Sequence, residues 1–188
     1  QVQHMSRLVD DLLDVSRVST GKLHLDRQVV DLRQIVDDAI ETCRPLMKAR
    51  HLHFSAQRPD DPLPVEGDPV RLKQILGNLL GNAAKYTPAE GQVTLSVSTR
   101  GDAVQLTVCD NGIGISAKAL PFIFEPFIQD AHAIGFNGAG LGIGLTVVRE
   151  LVEAHGGTVQ GMSEGSGKGS RFVVILPLVS DLISTPNP

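Results

Sequence analysis

Apolar positions recur every three to four residues in four stretches of the chain and alternate in several others, which separates helices from strands. Residues 1–20 set Val2, Met5, Val9, Leu12 and Ser16 at 3-4-3-4 spacing, with Leu8, Leu13 and Val15 widening the seam and Gly21 as a stop. Such a stripe cannot bury itself, so this coiled-coil-type helix should pair with another, in its own domain or in a second chain. Residues 22–32 read as a strand leading into a helix capped by Asp31. That helix, about 32–49, carries Leu32, Ile35, Val36, Ala39, Ile40, Cys43 and Leu46 on its core face. A short strand over 52–56 and a Pro-rich loop over 58–67 come next. Residues 92–99 and 103–109 alternate as a hairpin turned by Gly101-Asp102, and 146–155 form an apolar helix ended by Gly156-Gly157. Strands over 158–163 and 170–176 flank a glycine-rich turn, and 179–188 read as tail or linker.

The helix over 68–87 is different. Asp68 suits its cap, Pro69 its first position, and Thr87-Pro88 its end. On a wheel at about 100° per residue, Leu72, Ile75, Leu76, Leu79, Leu80 and Ala83 form one broad apolar face. Arg71, Gln74, Asn78, Asn82 and Lys85 fall within a stripe of about 80° on the other side. Exposed faces usually mix Glu and Lys; this one aligns three carboxamides between two cations. Gly77 and Gly81 lie beside it, each costing about 1 kcal/mol relative to Ala, so something should approach the backbone there. A carboxamide oxygen can ligate a hard cation such as Mg²⁺, and a lysine one turn on can neutralise phosphate. A plain solvated helix back is the competing reading.

Further motifs follow in order. Asp110-Asn111-Gly112-Ile113-Gly114 closes the second hairpin strand: a carboxylate at a buried strand end can accept from an exocyclic amine while glycines let the backbone pass close to a ring. An Asp-Asn-Gly turn is the bland alternative. Phe122, Phe124 and Phe127 cluster in 121–129, as core filling would also require. Residues 129–140 are poor in anchoring side chains and rich in Gly and Ala, a composition that suggests mobility. Gly138, Gly140, Leu141, Gly142, Gly144 and Leu145 then lead into the 146–155 helix, where exposed N–H groups and the positive dipole end favour an anion.

Composition narrows the field. In 188 residues with 41% apolar content the chain holds a packed domain of ordinary size plus an extra element. A net charge of −4 with no basic stripe argues against a nucleic-acid surface. Cys43 and Cys109, the two cysteines, lack CxxC or metal spacing and fit a reducing cytoplasm. No apolar run approaches the ~20 residues of a membrane span, so no membrane contact is expected of this piece. Because the sequence starts inside a helical pattern it reads as a fragment, and any membrane sensor would lie upstream.

Asn78-Leu-Leu-Gly-Asn82-Ala-Ala-Lys85-Tyr86-Thr87 closely resembles the N box of sensor histidine kinases, which share the ATP-binding fold of gyrase, Hsp90 and MutL. The Asp110 motif resembles the first glycine box of that family, 121–129 its F box, 138–145 its second glycine box, and 165–169 its last glycine element. Residues 1–20 resemble the end of the second helix of the dimerisation and phosphotransfer hairpin. The resemblance spans about 1–178 and implies an α+β fold: a two-layer sandwich whose mixed, mostly antiparallel sheet packs on helices, preceded by the N-terminal helix. It implies domains over 1–20 and 21–178. It implies that Asp110 binds the adenine amino group, Asn82 ligates Mg²⁺, Asn78 orders the metal and phosphate environment, and Lys85 meets the phosphates. Tyr86, Gly112, Gly114, Phe124, Phe127 and the 138–145 glycine segment complete the implied ATP site. Many relatives carry Arg or Lys in the lid over 129–140; this chain offers only His132 there, leaving Lys85 and Mg²⁺ as the main phosphate neutralisers.

The same resemblance implies transfer of the ATP γ-phosphate to a histidine on a dimerisation domain and relay to a response-regulator receiver domain, in a full-length homodimer. His4 is not that acceptor, since Met5-Ser6-Arg7 follow it without an acidic neighbour to serve as base. His24, His51, His53, His132 and His155 likewise lack a catalytic or metal pairing. In the gyrase branch the position of Asn78 is a glutamate that activates water; a carboxamide cannot take that proton. A stand-alone ATPase is therefore disfavoured. A nucleotide-binding regulatory module without catalysis and a serine kinase of the anti-sigma type remain as alternatives.

Overall fold

The computed structural model describes residues 24–137 and 141–179. The expected N-terminal helix, His4, Gly138, Gly140 and the tail from residue 180 lie outside the described residues.

Seven strands and four α-helices follow β1 (Gln28–Asp31), α1 (Leu32–Ala49), β2 (His53–Gln57), β3 (Pro64–Gly67), α2 (Pro69–Tyr86), β4 (Gln92–Arg100), β5 (Ala103–Asp110), α3 (Ala131–Asn137), α4 (Gly144–Ala154), β6 (Thr158–Met162) and β7 (Ser170–Pro177) among the described residues. A five-stranded sheet runs β2-β4-β5-β7-β6; β2 pairs with β4 in parallel and every other pair is antiparallel. That is the expected mixed, mostly antiparallel sheet.

Register follows from alternation. Val93, Leu95 and Val97 of β4 are buried while Gln92, Thr94 and Ser96 are exposed, and Leu95 sits opposite Val108, which in turn faces Phe172 of β7. A one-residue slip would turn all of these to water. The buried face packs on α1, α2 and α4, so the core lies between one sheet face and three helices.

Two expectations are corrected. The loop over 58–67 contains β3, which pairs antiparallel with β1. Leu63 and Val65 are almost fully buried there, Leu63 N donates to the Asp31 carboxylate at 3.1 Å, and Pro64 sits at the strand's first position, which proline tolerates. Leu46 is 43% exposed, and Met47 fills the core in its place. Both fit the apolar arc of α1, but at this last turn the arc faces a cavity.

His155 is buried and structural. Its Nε2 accepts from Asp68 N at 3.0 Å and its Nδ1–H donates to Leu151 O at 2.6 Å, fastening the end of α4 to the cap of α2. Burial holds its pKa below the ordinary histidine value.

Candidate functional site

A cavity of about 470 Å³ opens along the polar stripe of α2. This helix forms as its sequence dictates: Asp68 Oδ1 accepts from Val70 N and Arg71 N at 3.0 and 3.2 Å, and the Thr87 hydroxyl donates to Ala83 O at 2.6 Å. Burial of its apolar face against the core leaves Asn78, Asn82, Lys85 and Tyr86 on the cavity wall. The Lys85 ammonium lies 4.9 Å from the centre of the Tyr86 ring. Arg71 and Gln74 stand beyond the cavity and bond to each other at 2.8 Å. Gly77 and Gly81 also line it, and a Cβ at either would meet nothing within 4 Å. The room beside these glycines is therefore cavity, not space taken by another of the described residues.

The floor is built where β5 ends. Asp110 faces the cavity, and its carboxylate accepts from Gly112 N at 2.9 Å and from the Ser170 hydroxyl at 2.5 Å. Burial pushes its pKa above the ordinary carboxylate value, while these donors pull the other way. An ionised carboxylate has about four acceptor positions, so capacity remains for a donor in the cavity. Ile113 and Ile115 add apolar surface beside it, and Gly114 lines the same region. Gly114 has φ +69°, and a Cβ there would stand 2.1 Å from Gly165 O. The loop after β6 is thus pressed against the loop after β5.

Across from α2 lies the entrance to α4. Leu141, Gly142, Gly144 and Leu145 all line the cavity. Gly142 takes φ +70°, which only glycine adopts without strain, and its carbonyl accepts from Phe127 N at 2.9 Å. Asn78 Nδ2 donates to Gly144 O at 3.3 Å, so the amide stripe is tied directly to the glycine segment.

Three expected site residues stand apart from the cavity wall. Gly112 lies under the end of α2, where a Cβ would come within 2.2 Å of Tyr86 O. The close passage expected of this glycine is thus made to a helix end. Phe124 packs edge-on to Phe172 with ring centroids 6.4 Å apart, and Phe127 is 63% exposed with φ +65°. Core filling therefore holds for Phe124 alone, since Phe122 is exposed as well. The lid segment contains the helix α3.

Sequence reasoning missed Ser170, Leu46 and Arg50, which also line the cavity. Ser170 joins Asp110 only through the β5–β7 register, and Arg50 reaches Lys85 O at 3.3 Å from a different helix. No local motif announces either. Among the described residues no group of three or more His, Cys, Asp or Glu could hold a metal ion by itself. On α2 the donors facing the cavity are the carboxamides of Asn78 and Asn82, suited to completing the shell of a hard cation that brings other ligands with it.

A family profile described as histidine kinase-, DNA gyrase B-, and HSP90-like ATPase matches residues 67–180. The chain is 34% identical over 97% of its length to the circadian input-output histidine kinase CikA of Thermosynechococcus vestitus. It is 33% identical over 92% of its length to the sensor histidine kinase RcsC of Escherichia coli K12. It spans only 25% and 18% of those two proteins. Among solved structures, full-length ShkA in complex with AMPPNP matches 94% of this chain and 36% of its own, with 30% identity and a TM-score of 0.80. The Acinetobacter baumannii histidine kinase AdeS matches 95% of this chain and 80% of its own, with 26% identity and a TM-score of 0.76. With the profile covering more than half of its length, the chain belongs to the histidine kinase-, DNA gyrase B- and HSP90-like ATPase family, among the catalytic domains of sensor histidine kinases.

Proposed function

We propose that the cavity along α2 binds ATP with Mg²⁺ and that the chain transfers the γ-phosphate to a histidine on a dimerisation domain. One observation carries this reading: Asn78, Asn82 and Lys85 share a cavity wall, with the Asp110 carboxylate on its floor. Asp110 and the two isoleucines beside it would take the adenine, the carboxylate accepting from its amino group. Asn82 would give one oxygen to Mg²⁺, the rest of whose shell would come from phosphate and water. Bound there, the ion would neutralise charge on the phosphate oxygens.

Asn78 holds the carbonyl of Gly144 and so sets the spacing between α2 and the glycine entrance of α4. That spacing is where a triphosphate would pass, with Lys85 at one side and the N–H groups of the helix entrance at the other. Among the described residues the cavity-lining carboxylates are Asp110 and Asp130, and neither stands on α2. Asp110 is engaged by Ser170 and Gly112, and Asp130 accepts from Ser116 N at 2.7 Å. This wall offers no base to activate water, which favours transfer to another nucleophile over hydrolysis.

In the transfer, the bond between the γ-phosphorus and the bridging oxygen breaks as a phosphorus–nitrogen bond forms to the acceptor imidazole, and ADP leaves. Positioning and charge neutralisation do most of the work. The acceptor hairpin belongs to the longer protein, a homodimer in the cytoplasm, and a response-regulator aspartate receives the group next.

Mixing the chain with labelled Mg-ATP and a separate acceptor hairpin tests the proposal. Acid-labile, base-stable label on the hairpin is the expected result. Label on serine, free phosphate alone, or binding without turnover would each overturn it. Asn82→Ala should abolish transfer together with its metal dependence; full Mg²⁺-dependent transfer by that variant would place the ligand elsewhere.

A further inference from the structure

A triphosphate would bring several negative charges into a cavity whose roof, α3 and the entrance to α4, carries no Lys or Arg. No Lys or Arg occurs between Lys118 and Arg149, and Arg149 lies outside the cavity with its guanidinium 3.1 Å from Glu125. Among the described residues that line the cavity, the cations are Lys85 and Arg50. Arg50 caps the C-terminal end of α1, well separated in sequence from the helix that carries the amide stripe. Its Nη2 donates to Lys85 O at 3.3 Å, which seats the guanidinium beside the lysine backbone at the cavity wall.

We infer that Arg50 is a phosphate-binding residue of this site, a second fixed positive charge supplied by α1 where the roof supplies none. The inference rests on the nucleotide reading above. Its physical basis is the donor set. A guanidinium carries five N–H groups in a rigid fork, stays protonated at any relevant pH, and pairs with phosphate oxygens through two parallel bonds. One N–H is used on Lys85 O, and that anchor fixes the plane of the fork. Leu46, one turn earlier, is an exposed apolar residue that lines the cavity beside it.

The distinguishing measurement is affinity across ligands that differ only in phosphate. Arg50→Gln should weaken ATP and ADP by about tenfold or more, as for loss of a charge-assisted hydrogen bond, while adenosine affinity stays unchanged. Arg50→Lys should recover part of the loss. Arg44→Gln is the control: Arg44 lies on α1 outside the cavity, paired with Glu41 at 3.1 Å, and should leave every affinity as it was. Equal weakening of adenosine and ATP would mean that Arg50 only holds α1 to α2, and would overturn the inference. So would ATP affinity undiminished in Arg50→Gln. Failure of the unsubstituted chain to bind ATP at all would instead remove the nucleotide reading and this inference with it.

Discussion

The floor and the roof of the cavity are made on opposite plans. The floor is interlocked: Gly167 N donates to Ile113 O at 2.6 Å, Gly169 N to Gly112 O at 3.1 Å, and Ile115 N to the Ser163 hydroxyl at 3.0 Å. Its loops hang from the central strands β5 and β7, so they cannot shift without disturbing the sheet. The roof leaves Ile134, Phe136 and Leu141 between 40% and 45% exposed, and α3 has only seven residues. Few buried apolar contacts mean little free energy opposing its displacement. On the proposed reading, recognition of the constant part of the nucleotide would fall to the floor and its entry and exit to the roof.

Breaking the floor should have the largest effect. Gly169 has φ +69°, and an added Cβ would stand 2.0 Å from Asp110 O. Gly169→Ala should therefore cost about 3 kcal/mol or more, from backbone strain and the clash together. Urea denaturation measures it, and a loss below about 1 kcal/mol would mean that the floor adapts.

A chemical change to the floor should act on binding alone. Asp110→Asn keeps the shape but replaces part of the acceptor surface with a donor where, on the proposed reading, the adenine amino group would sit. ATP affinity should fall about 10- to 100-fold, as for loss of a charge-assisted hydrogen bond, with the fold intact. Undiminished affinity would refute the role proposed for this carboxylate.

Acid should act next, behind the floor, through His155. Its folded pKa is lowered by burial from 6.5, so the unfolded chain takes up the proton first as pH falls. Stability is full above about pH 6.5 and declines as pH drops below that value, because protonation of Nε2 would remove the acceptor that Asp68 N uses. Asp31 contributes separately. Arg33 beside it holds its pKa at about 2 instead of 3.8, so its share is kept above 3.8 and lost only as pH falls from there toward 2. Denaturant midpoints taken from pH 8 to pH 3 should resolve the earlier decline from the later one. No change between pH 7 and pH 5 would exclude a buried neutral histidine.

The smallest effect belongs to the roof. A Cβ at Gly135 in α3 meets nothing within 4 Å, and Gly135→Ala should leave stability unchanged or raise it by up to about 1 kcal/mol. A destabilised Gly135→Ala would show that the roof packs as tightly as the floor.

Much of this contrast was legible in the sequence because it rests on local chemistry. Asp68, Pro69 and Thr87 delimit α2, wheel geometry separates Leu76 from Asn78, and the glycines flanking Leu141 announce a helix entrance. Long-range partners were not legible. Pro64–Gly67 becomes a strand only because β1 lies beside it, and Ser170 gains its role from the strand that carries Asp110. Leu46 and Met47 fit the same apolar arc, so only the neighbouring helix decides which is buried. Arg50 carried no motif at all. Phe127 shows the reverse case, a residue in a recognisable box that points away from the cavity.

Asp110 and Ser170 stand opposite each other in the β5–β7 ladder, and their side chains meet at one end of the cavity. An offset of a single residue in β7 would turn the hydroxyl toward the other surface of the sheet and leave the acid without that partner. Capture of a purine there would consequently report on how the strands had annealed. A bound nucleotide would add its free energy only to molecules aligned correctly, selecting them from misaligned ones as the chain matures.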